Sequence, residues 1–123
     1  MPLDPQVQAY LDMLASAGEP PQHTMPVEDA RAGFLGLAAL AGEPLIVDSV
    51  ENREIPGPES QIPGRIYTPE GKGPFPLLVY FYGGGWVLGN LDVHDAVYRA
   101  LTNAAGCITH ELRNEVIEEL ILI

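Results

Sequence analysis

A chain of 123 residues and 13.3 kDa holds one small domain, and with 46% apolar residues it is not wholesale disordered. Its 17 acidic residues against 6 basic ones give a net charge of −11, and the cations are scattered along the chain. Without a clustered positive surface to displace phosphate counterions, nucleic acid and anionic membrane are excluded as expected partners.

Cys107 is the single cysteine, so no internal disulfide can form, and the opening Met1-Pro2-Leu3-Asp4-Pro5 has neither a basic nor an apolar leader region. The expected compartment is the cytoplasm. The uncharged stretch 73–91 carries Pro74, Pro76, Gly83, Gly84, Gly85, Gly89 and Asn90, which a single lipid-exposed helix could hardly absorb, so no membrane span is expected.

The first predicted helix opens at Asp4 as N-cap with Pro5 at N1, sets Val7, Tyr10, Leu11 and Leu14 on one face, and stops at Gly18. After a loop through Pro20, Pro21 and Pro26, a second helix is predicted over about Val27 to Ala41, weakened by Gly33 and Gly36 and ended by Gly42. Ile46 to Ile55 and Gln61 to Tyr67 read as two strands joined by Pro56-Gly57-Pro58. The unbroken apolar run Leu77-Leu78-Val79-Tyr80-Phe81 has the pattern of a strand covered on both faces. A third helix is predicted from Asp92 through Tyr98 and Leu101 to a stop at Gly106.

The feature that carries specific chemistry is the triplet Gly83-Gly84-Gly85. Successive glycines after a strand let the backbone turn sharply and bring amide N–H groups close to a ligand. Two such amides on one point make an oxyanion hole, where each donor is worth roughly 3–4 kcal/mol to a tetrahedral transition state. A plain tight loop and a loose dinucleotide loop, Gly83-x-Gly85-x-x-x-Gly89, are the alternatives; a P-loop is excluded because no Gly-Lys-Ser/Thr follows.

Taken together, Leu78 to Asp95 closely resembles the oxyanion-loop region of the bacterial hormone-sensitive-lipase-like esterases, a branch of the α/β-hydrolase fold. Met1 to Pro5, Ile62 to Glu70 and Ala96 to Cys107 resemble the same family, so the likeness covers about residues 1–107. It implies an α/β fold, the N-terminal part of an α/β-hydrolase, incomplete: residues 1–42 as lid-like helices roofing an acyl pocket, and residues 43–107 as the start of the core. It also implies Gly84 and Gly85 as the oxyanion donors, with Tyr82, Gly83 and Trp86 as loop support. The family shows His-Gly-Gly-Gly-Trp here, and Tyr82 stands at its histidine. The implied chemistry is serine acyl transfer on small acyl esters, with no cofactor and no metal.

The nucleophile is not in the chain. Ser16, Ser49 and Ser60 lack the flanking glycines of a nucleophile elbow, and so does Cys107. Beyond Cys107 the family continues with a hydrophobic parallel strand, whereas residues 108–123 do not resemble it. Leu112, Val116 and Leu120 at spacing four predict a helical tail there, so catalytic residues are expected to be absent and the chain alone inactive. His110-Glu111-Leu112-Arg113-Asn114 misses the zinc-protease motif because Asn114 stands where a second histidine is needed, and no metal site is expected. His94 is read as a helix-start hydrogen-bonding residue, His23 as a loop residue without a partner, and Tyr80, Phe81 and Trp86 as packing residues. An interaction module is the other reading, and self-association is expected through an open sheet edge and the apolar end Leu120 to Ile123.

Overall fold

The computed structural model describes residues 2–57, 60–85 and 87–112. In chain order it holds α1 (Pro5–Ala17), a 3₁₀ turn (Gln22–Thr24), α2 (Val27–Gly36), a second 3₁₀ segment (Leu37–Ala41), β1 (Ser49–Pro56) and β2 (Gln61–Thr68). Then follow β3 (Leu77–Phe81), α3 (Asp95–Ala105) and β4 (Ile108–Leu112).

α1 is capped as its sequence requires. The Asp4 carboxylate accepts from the Gln6 amide at 2.8 Å, and Gly18 closes the helix at φ 66°. Its apolar stripe exists but is uncovered: no residue of α1 is buried, and Leu11 and Leu14 are each 43% exposed. The second predicted helix is shorter than its pattern, giving way after Gly36 to the 3₁₀ segment that ends at Gly42 (φ 77°).

The four strands form one mixed sheet in the order β1-β2-β4-β3. β1 and β2 are an antiparallel hairpin in the register Ser49↔Thr68 to Pro56↔Gln61; β2 is antiparallel to β4, and β3 runs parallel to β4. The first strand begins at Ser49, three residues later than its sequence suggests, because the carbonyls ahead of it serve α3. Arg99 Nη1 donates to the Leu45 carbonyl at 3.1 Å and Asn103 Nδ2 to that of Ile46 at 2.9 Å. β3 is an edge strand among the described residues rather than one covered on both faces: Leu77 is 62% exposed.

The helical tail expected over 108–123 is corrected over its first five residues, which form β4 in the middle of the sheet. The period-four apolar spacing fails there because burial alternates, with Thr109 and Glu111 facing inward. Residues 113–123, including the apolar end, lie outside the described residues.

α3 packs on this sheet through a core that is small and unusually polar. Val47, Tyr67 and Tyr98 form its apolar centre, with Leu101 against them. Beside them Thr102 Oγ1 and Thr109 Oγ1 share a 2.9 Å hydrogen bond, and Glu111 is fully buried. Tyr67 donates from its hydroxyl to Asp95 Oδ1 at 3.1 Å and lies 3.4 Å from Glu111 Oε2. Glu111 Oε1 and the Tyr98 hydroxyl make no well-aligned hydrogen bond among the described residues, although the hydroxyl lies close enough to the carboxyl to act on it. Burial, with Asp95 nearby adding repulsion, outweighs the Arg65 charge and the tyrosine hydroxyls, and pushes the Glu111 carboxyl up to about 8.

A carboxyl raised in this way is protonated in the folded state while the unfolded chain, with its ordinary value of 4.5, has released the proton. The contribution of Glu111 to stability is therefore fully present below pH 4.5 and is lost as pH rises towards 8. Glu111→Gln, which cannot ionise, is expected to flatten most of that slope in urea titrations at pH 5 and pH 8. An equally steep slope in the variant would remove Glu111 as its source.

Candidate active site: the glycine loop and the cavity beside it

The chain leaves β3 at Phe81 and enters the glycine triplet at the end of the strand. Gly84 is forced to be glycine: a Cβ there would collide with the Leu88 carbonyl group. Its own carbonyl accepts from two amides, Val87 at 3.1 Å and Leu88 at 2.9 Å, which closes a tight turn, and Gly85 sits within that turn at φ 57°. The Gly84 and Gly85 amides make no hydrogen bond among the described residues. They are thus available to an acceptor, the condition an oxyanion hole sets.

Tyr82 is buried, at 5% exposure, beneath this loop. Its ring stacks on the His94 imidazole with centroids 5.3 Å apart and planes at 24°, and its edge fills the space where a side chain on Gly89 would stand. Gly89 (φ 94°) is thereby held to glycine twice over. The aromatic ring at this position acts on the loop by packing. Gly83 is exposed with open space around it, and Trp86 lies outside the described residues.

The far end of the loop is tied down by polar contacts that the sequence reading missed. Asn90 Oδ1 accepts from the amides of Asp92 and Val93, at 2.9 and 3.0 Å, so these residues form a turn and α3 starts at Asp95 instead of Asp92. Arg65 reaches from β2 with three bonds: to Asn52 Oδ1 at 2.7 Å, to the Leu91 carbonyl at 3.0 Å and to Asp92 Oδ1 at 2.8 Å. The asparagine two residues ahead of an aspartate was a readable turn signal. Nothing in the sequence marked Arg65 as the anchor.

A cavity of about 660 Å³ opens beside the loop. Its walls come from the 3₁₀ turn and α2 on one side, with His23, Met25, Val27 and Ala30, and from Gly84 and Leu88 on the other. Arg31 of α2 donates from Nε to the Val87 carbonyl at 2.8 Å and pins the two walls together. The lining is mostly apolar, and Gly84 of the loop forms part of it. His23, expected as a loop residue without a partner, lies in the 3₁₀ turn at this wall.

The other titratable candidates sit elsewhere. The Ser16 hydroxyl bonds within α1 to the Met13 carbonyl at 2.8 Å, and Ser49 and Ser60 stand at the start of β1 and just ahead of β2. None of the three lines the cavity. Cys107 is buried with its sulfur 3.8 Å from Thr109 Oγ1. His110 lies on β4 with Nε2 buried, and burial together with the Arg53 charge lowers its proton affinity. Glu111, one residue on, faces the sheet interior, so the two do not form a joint ligand set; among the described residues no group of three or more His, Cys, Asp or Glu could hold a metal ion. Nor is any described helix long and apolar enough to cross a membrane.

No family model matches the chain. Individual relatives do. It is 52% identical over 61 residues to the carboxylic ester hydrolase LipN of Mycobacterium tuberculosis, covering 50% of this chain and 16% of that protein. Against the arylesterase of Saccharolobus solfataricus it is 30% identical over 107 residues, 87% of this chain and 35% of the relative. Among solved structures, the ester hydrolase EH1AB1 from the Lake Arreo metagenome aligns at a TM-score of 0.81 and 32% identity, covering 90% of this chain and 37% of that one. The matched segments cover only 16% to 37% of the length of these proteins. By sequence and by fold it belongs with the esterases of the α/β-hydrolase family, hormone-sensitive-lipase-like members among them, and matches the N-terminal portion of those proteins.

Proposed function

We propose that this chain is the oxyanion-loop portion of a carboxylic ester hydrolase and carries no nucleophile of its own. The observation that carries the reading is the Gly84–Leu88 turn, in which the Gly84 and Gly85 amides have no partner among the described residues and Gly84 borders a mostly apolar cavity. In serine acyl transfer a hydroxyl attacks the ester carbonyl, a histidine takes its proton, and the carbonyl oxygen gathers negative charge. Gly84 and Gly85 would donate to that oxygen. α1 and α2 with the 3₁₀ turn between them would roof the acyl group, and His23, Met25 and Val27 would touch it. Substrates of this kind are small acyl esters, and the chemistry needs no cofactor and no metal.

The exposed apolar surface favours a second role for the same chain, association with another copy. Among the described residues β3 is an edge strand with Leu77, Val79 and Tyr80 exposed and no charged residue in it, and the apolar stripe of α1 is exposed as well. A net charge of −11 opposes such contact at low salt.

Three outcomes are expected. The chain hydrolyses p-nitrophenyl butyrate no faster than a serum-albumin control, since loss of a triad costs about a million-fold in kcat even on an intact scaffold. Turnover that titrates with an organophosphate would overturn this. Gly84→Ala lowers the urea midpoint, by about 1–3 kcal/mol of stability, because its methyl meets a fixed carbonyl. Gly83→Ala, with open space around it, changes stability by less than about 0.5 kcal/mol. Equal effects of the two would discard the turn geometry as the constraint. Sedimentation velocity should show assembly growing with ionic strength as screening removes the repulsion, and Val79→Lys should reduce it. A sharp monomer at both low and moderate salt would sink the association reading.

A further inference from the structure

The amide taken above as an oxyanion donor is the last unit of a hydrogen-bonded chain of peptide groups that begins on a cation. Arg31 Nε donates to the Val87 carbonyl at 2.8 Å. That carbonyl shares a peptide unit with the Leu88 amide, which donates to the Gly84 carbonyl at 2.9 Å. The Gly84 carbonyl in turn shares a peptide unit with the Gly85 amide. In a trans peptide the C=O and N–H point in opposite directions, so fixing the carbonyl fixes the aim of the N–H across the bond.

We propose that Arg31 is a positioning residue for the oxyanion loop: through the Val87–Leu88 and Gly84–Gly85 peptides it aims the Gly85 N–H and strengthens it as a donor. The inference rests on the reading of Gly84 and Gly85 as oxyanion donors and adds to it a residue on a different element, α2. The physics is that of hydrogen bonds in series. Each peptide that accepts at its oxygen becomes a better donor at its nitrogen, by about 10–30% per bond, and a charged donor at the head of the series gives the larger push. The Gly84 carbonyl also accepts from the Val87 amide at 3.1 Å, so its peptide plane is held by two bonds.

The series has a direction, and that makes it distinguishable from simple packing. The Gly84 amide belongs to the Gly83–Gly84 peptide, which is not in the series, and neither is the Gly83 amide. Loss of the cation should therefore act on Leu88 and Gly85 and spare Gly83 and Gly84, although all four lie in one short loop. A merely structural tie between α2 and the loop would loosen all of them together.

The experiment is an amide NMR comparison of the 123-residue chain, labelled with ¹⁵N and kept at low salt, with Arg31→Met and Arg31→Lys. Hydrogen exchange read by mass spectrometry over residues 84–88 serves as a second measure that does not need narrow lines. In Arg31→Met the Leu88 amide should exchange about tenfold faster and the Gly85 proton should move upfield, while Gly83, Gly84 and the remote Gly106 stay in place. Arg31→Lys, which keeps the cation and a donor, should recover part of both changes. An unmoved Gly85 in Arg31→Met overturns the proposal, as does a shift shared equally by Gly83, Gly84 and Gly85. Addition of methyl butylphosphonate, an anionic mimic of the tetrahedral species, tests the underlying reading separately. If it leaves Gly84 and Gly85 unperturbed while Arg31→Met still moves Gly85, the series stands and the oxyanion reading is what fails.

Discussion

The glycine loop depends on the Arg65 guanidinium more than on any other single group. Its side chain is only 14% exposed, and its hydrogen bonds reach Asn52 on β1, the Leu91 carbonyl and Asp92. Asp95 Oδ1 lies 3.7 Å from the same guanidinium, and Asp95 Oδ2 takes a 2.6 Å bond from Arg99 one turn further along α3. The hairpin, the turn after the loop and the helix start are thus gathered on one planar cation. Arginine suits this work because its donors form a rigid fork always charged at physiological pH, which a lysine would not reproduce. The ends of the loop are set by β3 on one side and by this knot on the other, while Tyr82 packing against Gly89 and the Arg31 bond to the Val87 carbonyl hold what lies between.

The molecule spends its burial on polar groups and leaves apolar ones outside. Glu111, Thr102 and Thr109 are enclosed while Leu40, Ile46 and Leu77 are more than half exposed. That inversion is costly for an isolated domain, because a buried carboxyl without a full set of partners forfeits hydration. The chain spans only part of the length of its relatives.

Local chemistry made much of the fold legible from residues alone. The Asp4–Pro5 start, the Gly18 and Gly106 stops, the hairpin and the Leu77 to Phe81 strand each rest on a cap, a turn or a period that acts within a few residues. The glycine triplet was legible for the same reason. What escaped was set by distant partners. The start of α3 moved because Asn90 takes the amides of Asp92 and Val93, and the start of β1 moved because α3 claims the carbonyls of Leu45 and Ile46. The strand over Ile108 to Leu112 was obscured by charges, His110 and Glu111, where the spacing of Leu112, Val116 and Leu120 argued for a helix. Arg31 and Arg65 looked like two surface cations among six.

The strand order also sets a route for the chain to reach this state. β1 and β2 are joined by a short turn, and β3 and β4 by the single helix α3, so each pair closes a modest loop. The seam between β2 and β4 is different: its partners lie further apart in the chain than those of either pair, and it closes cheaply only after β3–β4 pairing has brought β4 back beside the short link from Thr68 to Leu77. Formation of the two local pairs first, with the seam last, follows from that ordering. Until the seam closes, β2 and β4 each present a bare edge, and Glu111 is still hydrated. Closing the seam is then also the step that strips water from the carboxyl, and a protonated Glu111 gives up less hydration there than an ionised one.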